Sequence, residues 1–255
     1  MRENSVKKAL RQGRVQIGCG FTQLRSTEAI RALAAAGFDW TFVDAEHGPF
    51  GIETLQDLCK AGTAAGIAPI VRVADMQYSL VARALDCSAQ GVVFPRVESP
   101  ELLKQAISWT KFPPVGVRGF GLGPWQFDYE KVSIGDAAAH LNDNLMVVLQ
   151  IETATAVERR DALLSLSGID AVMIGPVDLS ISLGVPGDFE NPKMIDAVQK
   201  IVDSCVKHGI APGIQVRSIE LAKFWKDRGM KFLGCGNETA FLYEKANEVA
   251  TALKA

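Results

Sequence analysis

Two carboxylates, Glu152 and Asp178, each stand just past a short apolar run: Met146-Val147-Val148-Leu149-Gln150-Ile151 before the first, Ala171-Val172-Met173-Ile174-Gly175-Pro176-Val177 before the second. A carboxylate at the exit of a buried strand is costly unless it is paired or holds a cation. Neither has a Cys or His close by in the sequence, so the pair suits a hard, oxygen-seeking divalent ion, Mg²⁺ or Mn²⁺ first, with Co²⁺ or Zn²⁺ as alternatives. Two protein ligands leave positions for water or substrate oxygens, which is the arrangement of a Lewis acid. The competing reading is structural: both acids balanced by Arg72, with Asp178 capping a helix ahead of Leu179.

Other polar residues stand at similar places. His47, one of three histidines, follows Asp44 by three residues in Val43-Asp44-Ala45-Glu46-His47-Gly48-Pro49. An imidazole steadied by a carboxylate is a general base near neutral pH; a loop histidine satisfied by a turn is the plainer alternative. His208 precedes Gly209 at a helix end, where it would meet the helix dipole, and His140 is expected on the surface. Arg72 directly follows Ile70-Val71, where a guanidinium suits a carboxylate or a developing enolate oxygen. Arg96 reads either as a mouth residue or as the ion-pair partner of Glu98. Gln150 and Gln215 extend the same polar ring. No lysine ends a strand, which disfavours a Schiff base.

What must position these groups is a rhythm of short apolar runs and amphipathic stretches. Strands are expected at 15–19, 40–44, 69–73, 91–95, 146–151, 171–174, 211–214 and 231–234, with helices at 27–36, 52–65, 78–86, 100–110, 157–166, 192–208, 219–228 and 238–253. Gly37, Gly66, Gly168, Gly209 and Gly229 follow helices, where a C-terminal glycine is favoured. Strict alternation predicts a (β/α)8 TIM barrel, with the polar ring at its carboxyl-terminal mouth. A doubly wound sheet is the alternative, but no GxGxxG follows the first strand. Residues 111–133 break the rhythm with tandem prolines, four glycines and Trp125, Phe127 and Tyr129. They are expected to be the loop after strand four, over the mouth, followed by a short helix at 134–142. The Gly116-Val117-Arg118-Gly119-Phe120-Gly121 run inside it follows no strand and reads as a mobile loop, not a phosphate cradle.

Composition bounds the rest. With 255 residues and 48% hydrophobic content, the chain can form one large core, and residues 1–255 are expected to be a single domain. A net charge of −2 with scattered basic residues gives no case for nucleic acid. No apolar stretch approaches the roughly 20 residues of a membrane span, and none of signal-peptide length follows Met1. Five widely spaced cysteines without a CxxC suit free thiols in a reducing cytoplasm.

Five of these segments, in order, carry a resemblance: Phe38-Asp39-Trp40 running into Val43 to Pro49; Val71-Arg72-Val73; Gln150-Ile151-Glu152-Thr153; and Ile174-Gly175-Pro176-Val177-Asp178-Leu179-Ser180. Together they resemble the HpcH/HpaI family of metal-dependent pyruvate aldolases over roughly residues 15 to 250. The resemblance implies reversible cleavage of a 4-hydroxy-2-oxo acid to pyruvate and an aldehyde through a metal-stabilised enolate. It implies Glu152 and Asp178 as metal ligands, Arg72 on the enolate oxygen, His47 with Asp44 as the proton carrier, Gln150 lining the site, and backbone near Gly175, Pro176 and Val177 holding the pyruvate carboxylate. It also implies a homohexamer, a trimer of dimers, with the C-terminal helix exchanged between neighbours. Two places depart from the family pattern: Gly121 to Phe127 lacks an Arg-Ala pair, and Gly234-Cys235-Gly236-Asn237-Glu238 has Asn where many relatives carry Asp. Other readings are a CoA-thioester lyase of the citrate and malyl-CoA type, and a non-catalytic barrel holding a phosphometabolite at the Gly234 to Asn237 turn.

Overall fold

The computed structural model describes residues 1–254. Eight strands run parallel and close on themselves in chain order: β1 (Gln16–Phe21), β2 (Trp40–Asp44), β3 (Ala68–Arg72), β4 (Gly91–Phe94), β5 (Met146–Ile151), β6 (Ala171–Ile174), β7 (Gly213–Val216) and β8 (Phe232–Asn237). Around and below them lie α1 (Ser5–Arg11), α2 (Thr27–Ala35), α3 (Ile52–Ala65), α4 (Tyr78–Asp86), α5 (Pro100–Ser108), α6 (Ile134–Asn144), α7 (Ala154–Glu158), α8 (Arg160–Leu164), α9 (Pro176–Ser182), α10 (Pro192–His208), α11 (Ile219–Lys226) and α12 (Glu238–Lys254). This is the expected (β/α)8 barrel.

Side-chain alternation along each strand creates two cores. One set, including Val71, Val92, Leu149, Val172 and Ile214, packs outward against the helices. The other set, including Trp40, Phe42, Ile70, Val93, Val148, Met173 and Phe232, fills the barrel. Strands buried on both faces read as continuous apolar runs, which is why β2, β5 and β6 could be delimited from the sequence. Inside, the Trp40 and Phe232 rings stack with centroids 3.8 Å apart. Trp40 pairs across the sheet with Gly18, where an added Cβ would come within 2.2 Å of the indole. Only glycine leaves room for that ring.

α1 closes the amino-terminal end. Val6 and Leu10, one helical turn apart, join the barrel-interior core. Lys7 donates to the Leu145 carbonyl at 2.9 Å and pairs with Asp170 at 3.1 Å. Asn4 caps the helix through Lys7 N and reaches the Gln90 carbonyl.

The 111–133 connection is not over the mouth. It follows α5 and leads through α6 back to β5, so it lies toward the amino-terminal end of the strands, against α4 and the N-terminal segment. Lys111 donates to the Asn142 carbonyl, Arg118 pairs with Asp86, and Gly119 N reaches the Tyr78 hydroxyl. Only a 3-10 turn at Pro124–Phe127 is regular within it. The loop that does follow β4 at the mouth is short, Pro95 to Ser99, ahead of α5. The expected helix at 157–166 is two pieces, α7 and α8, broken at Arg159.

Candidate active site

Strand register brings the polar residues together before any loop is considered. Asp44 and Arg72, the last residues of β2 and β3, are cross-strand partners. Arg72 Nε donates to Asp44 Oδ1 at 3.0 Å and Nη2 to Oδ2 at 2.6 Å, a bidentate fork. Nη1 lies 3.2 Å from Glu46 Oε2, a charge contact without hydrogen-bond alignment. Burial would lower the guanidinium, but Asp44, Glu46 and Glu152 outweigh it and hold Arg72 above its ordinary value. The cation is fixed in place and in charge.

This geometry corrects the expected pairing of Asp44 with the His47 ring. Both Asp44 oxygens serve Arg72, and Asp44 Oδ1 also accepts the backbone N–H groups of Glu46 and His47 at 3.0 and 3.1 Å. Asp44 therefore shapes the turn that carries His47, while the imidazole projects into solvent, 67% exposed. Its nearest carboxylate is Glu46, 3.8 Å from Nε2. Glu46 is half-buried, and burial pushes its carboxyl above the usual range against the pull of Arg72 and His47. Glu46 stands between Asp44 and His47 in the sequence, where nothing in its spacing assigns it a partner.

Glu152 ends the run after β5 and is 3% exposed. Oε1 accepts the backbone N–H of Arg96 at 2.9 Å, and Oε2 accepts from the Gln150 amide. Arg96 reaches it by adopting a left-handed φ of 52°, which is uncommon for a residue with a Cβ and typical of sites where backbone must be aimed. The Arg96 side chain is exposed and forms no ion pair among the described residues; Glu98 instead accepts from Thr153 at 2.6 Å. Burial raises the Glu152 carboxyl, and the charges of Asp178 and Glu46 raise it further. The Gln150 amide oxygen is buried without a donor.

Asp178 is the third residue of α9, and Gly175, not Asp178, is the N-cap. Asp178 forms no salt bridge with Arg72, so the structural reading fails for Asp178, while Glu152 shares the field of Arg72 without a direct ion pair. Gly175 N is committed to the Ile151 carbonyl at 3.2 Å, and Pro176 has no N–H. Of the three residues expected to offer backbone donors, Val177 alone retains one, at the first turn of α9. An added Cβ on Gly175 would stand 2.6 Å from Glu152 Oε2 and 3.0 Å from the Gln150 amide nitrogen. A side chain there is excluded by the carboxylate.

Glu46, His47, Arg96, Glu152 and Asp178 line one cavity of about 200 Å³. Among the described residues no group of three or more His, Cys, Asp or Glu could hold a metal ion alone. Glu152 and Asp178 nonetheless face the same space with neither in a salt bridge, and the Asp178 charge adds to the cost of ionising Glu152. That donor set fits a divalent cation completed by water or substrate oxygens.

The strand-eight end is a clamp. Glu238 Oε1 accepts the N–H groups of Thr22, Gln23 and Leu24 at 2.8, 2.6 and 3.0 Å, tying the loop after β1 to α12. Asn237 accepts Ala240 N at 2.8 Å, so the turn expected for a phosphate is occupied by its own side chain. Gln215 donates to the Gly236 carbonyl at 2.9 Å, bridging β7 and β8. His208 pairs with Asp161 at 3.2 Å, and His140 is half-buried on the Arg2 carbonyl.

Residues 16–244 match the family model for HpcH/HpaI aldolase/citrate lyase. The chain is 32% identical over 253 residues to a 4-hydroxy-2-oxo-heptane-1,7-dioate aldolase of Escherichia coli, covering 97% of this chain and 94% of that protein. Among solved structures it resembles an HpcH/HpaI aldolase from Desulfitobacterium hafniense DCB-2, with TM-score 0.92, 29% identity, and 97% and 96% of the two chains covered. It also resembles the citrate synthase SbnG, with TM-score 0.87, 27% identity and the same coverage.

Proposed function

The chain belongs to the HpcH/HpaI aldolase/citrate lyase family, and from that premise we propose that it is a carbon–carbon lyase cleaving a 4-hydroxy-2-oxo acid to pyruvate and an aldehyde. The observation that carries this reading is the cavity that Glu152 and Asp178 share with His47, neither acid in a salt bridge, with Arg72 held against Glu46 in its wall. Glu152 and Asp178 would hold a divalent ion, Mg²⁺ or Mn²⁺ first, whose Lewis acidity would draw charge from the 2-oxo group.

The chain's own residues supply the remainder. His47, exposed on a turn held by Asp44, takes the 4-hydroxyl proton through water as the C3–C4 bond breaks. The bond's electron pair passes into the enolate, and the N–H groups of Arg72 not used by Asp44 stabilise the oxygen that gains charge. A proton returned to C3 gives pyruvate. Gln150, whose amide oxygen has no donor, lines the site, and the Gly175-Pro176-Val177 segment meets the substrate carboxylate through Val177.

The test is pyruvate release from a panel of 4-hydroxy-2-oxo acids after dialysis against EDTA. Activity is expected to vanish and to return with Mg²⁺, Mn²⁺ or Co²⁺; full turnover in EDTA would sink the reading. The likeness to a citrate synthase supports a second reading, condensation or cleavage on an acid or acyl-CoA acceptor, which turnover with acyl-CoA would reveal.

We propose residues 1–255 as one domain and a hexamer, a trimer of dimers, with α12 exchanged. α12 buries only Glu238 of its own residues and leaves Leu242, Tyr243, Val249 and Leu253 exposed, which supports a covering neighbour. A monomer by light scattering would refute the assembly. Five free thiols support a cytoplasmic setting. No helix is long and apolar enough to cross a membrane among the described residues.

A further inference from the structure

We infer that a second cavity, between the N-terminal segment, α3 and the 111–133 connection, is a binding site for a small organic anion with an apolar body. The cavity measures about 350 Å³, and Asn4, Gln90 and Leu145 in its wall belong to the amino-terminal end of the strands, the end opposite Glu152.

Its charges are unevenly satisfied. On one wall the Met1 amine lies 2.6 Å from Glu130 and Arg2 lies 2.7 Å from Asp128, so both cations are paired. Arg118 and Lys60 are different. Arg118 is 2% exposed and gives Nη2 to Asp86 at 2.7 Å, but its Nε and Nη1 have no acceptor. Its guanidinium lies 4.7 Å from the Phe112 ring centroid, a contact that offsets part of the desolvation without satisfying either N–H. Lys60 lies 5.4 Å from the Trp125 ring centroid and has no carboxylate partner among the described residues. A buried charged donor left unpaired is among the more costly features a fold retains, and an acceptor arriving from outside relieves it.

The other walls decide what kind of anion fits. Leu85, Leu122, Phe127 and Leu141 line the cavity with the indole of Trp125. Inorganic phosphate would leave those walls wet, whereas a carboxylate on an aromatic or aliphatic body covers them and presents its oxygens to Arg118 and Lys60. Apolar walls with a few convergent polar groups are the usual make-up of small-molecule sites.

The experiment is calorimetric titration of the full chain with benzoate, and separately with inorganic phosphate. Wild type is expected to bind benzoate at one saturable site of this kind, more tightly than phosphate. Lys60→Gln should weaken benzoate by about tenfold. Ala64→Trp, placed on an exposed α3 position that lines the cavity, should abolish binding by filling it without touching a charge. Glu152→Ala should leave it unchanged, because the site lies at the other end of the barrel. The inference is overturned by absence of saturable benzoate binding, by binding indifferent to both Lys60→Gln and Ala64→Trp, by loss in Glu152→Ala, or by phosphate binding more tightly than benzoate.

Discussion

Gly175→Ala is a one-carbon test of the site. Gly175 has φ −93° and ψ 91°, a conformation alanine adopts freely, so the substitution adds no backbone strain. What it adds is a methyl 2.6 Å from Glu152 Oε2, and the oxygen must retreat by about 0.8 Å to reach the 3.4 Å at which ordinary contact begins. Glu152 is held on both sides, by Arg96 N and by the Gln150 amide, so retreat strains or breaks one of those bonds. Overpacking of this size costs about 1–3 kcal/mol. A reacting group displaced by roughly 1 Å costs about 100-fold in rate. Pyruvate release coupled to NADH oxidation should therefore show kcat/KM lowered about 100-fold, and calorimetry should show Mn²⁺ affinity weakened about 10- to 100-fold. Thermal denaturation should show a folded protein. A variant within about threefold of wild type in both measurements would refute the claim that Gly175 exists to admit the carboxylate.

Three further outcomes follow from the same geometry. Asp44→Asn keeps the shape but breaks the fork on Arg72 and weakens the turn below His47, with a cost of about 3 kcal/mol in denaturant unfolding and a large loss of turnover; unchanged stability would contradict it. Glu238→Ala leaves three amides without their acceptor, so unfolding free energy should fall by about 2–3 kcal/mol and hydrogen exchange at Thr22, Gln23 and Leu24 should quicken; equal exchange would contradict it. Burial, with Lys7 nearby, pushes Lys111 down to about 8 from an ordinary 10.5. Between those pH values the unfolded chain holds more protons than the folded one, so this group makes stability climb as pH rises across that window. Lys111→Met should flatten the climb seen in thermal denaturation, and an identical pH profile would contradict it.

The sequence reads well where burial alone dictates residue type. Strands filled on both faces, such as β5, show as unbroken apolar runs, and the acids beyond them stand out for the same reason. It reads poorly where geometry depends on pairing. Asp44 and His47 are neighbours in the chain, yet Asp44 belongs to Arg72, because strand register places those two side by side. β7 starts two residues later than expected: Ala211 forms a lone bridge to Ala171, and Pro212 has no N–H to give. The 111–133 segment follows α5 and not β4, and a connection that follows a helix lies at the end of the barrel opposite the mouth. α1 carried a usable signal, Asn4 as a cap with Val6 and Leu10 four apart, but seven residues fall below the length at which periodicity speaks. The left-handed turn at Arg96 and the three amides on Glu238 are backbone facts with no signature in side-chain type.

The seating of α1 bears on how the chain assembles. Its seven residues precede in chain order the groups that receive them, the Gln90 and Leu145 carbonyls and Asp170, which come from turns ahead of β4, β5 and β6. During synthesis α1 therefore lacks its full seat until Asp170 has emerged, and its apolar pair stays open to solvent, chaperones and proteases for that interval. Seating of α1 then reports that the turns ahead of β4, β5 and β6 have come together. Cleavage within α1 should be rapid in nascent chains ending before Asp170 and slow in the folded protein, which makes this helix a built-in clock for the middle of barrel assembly.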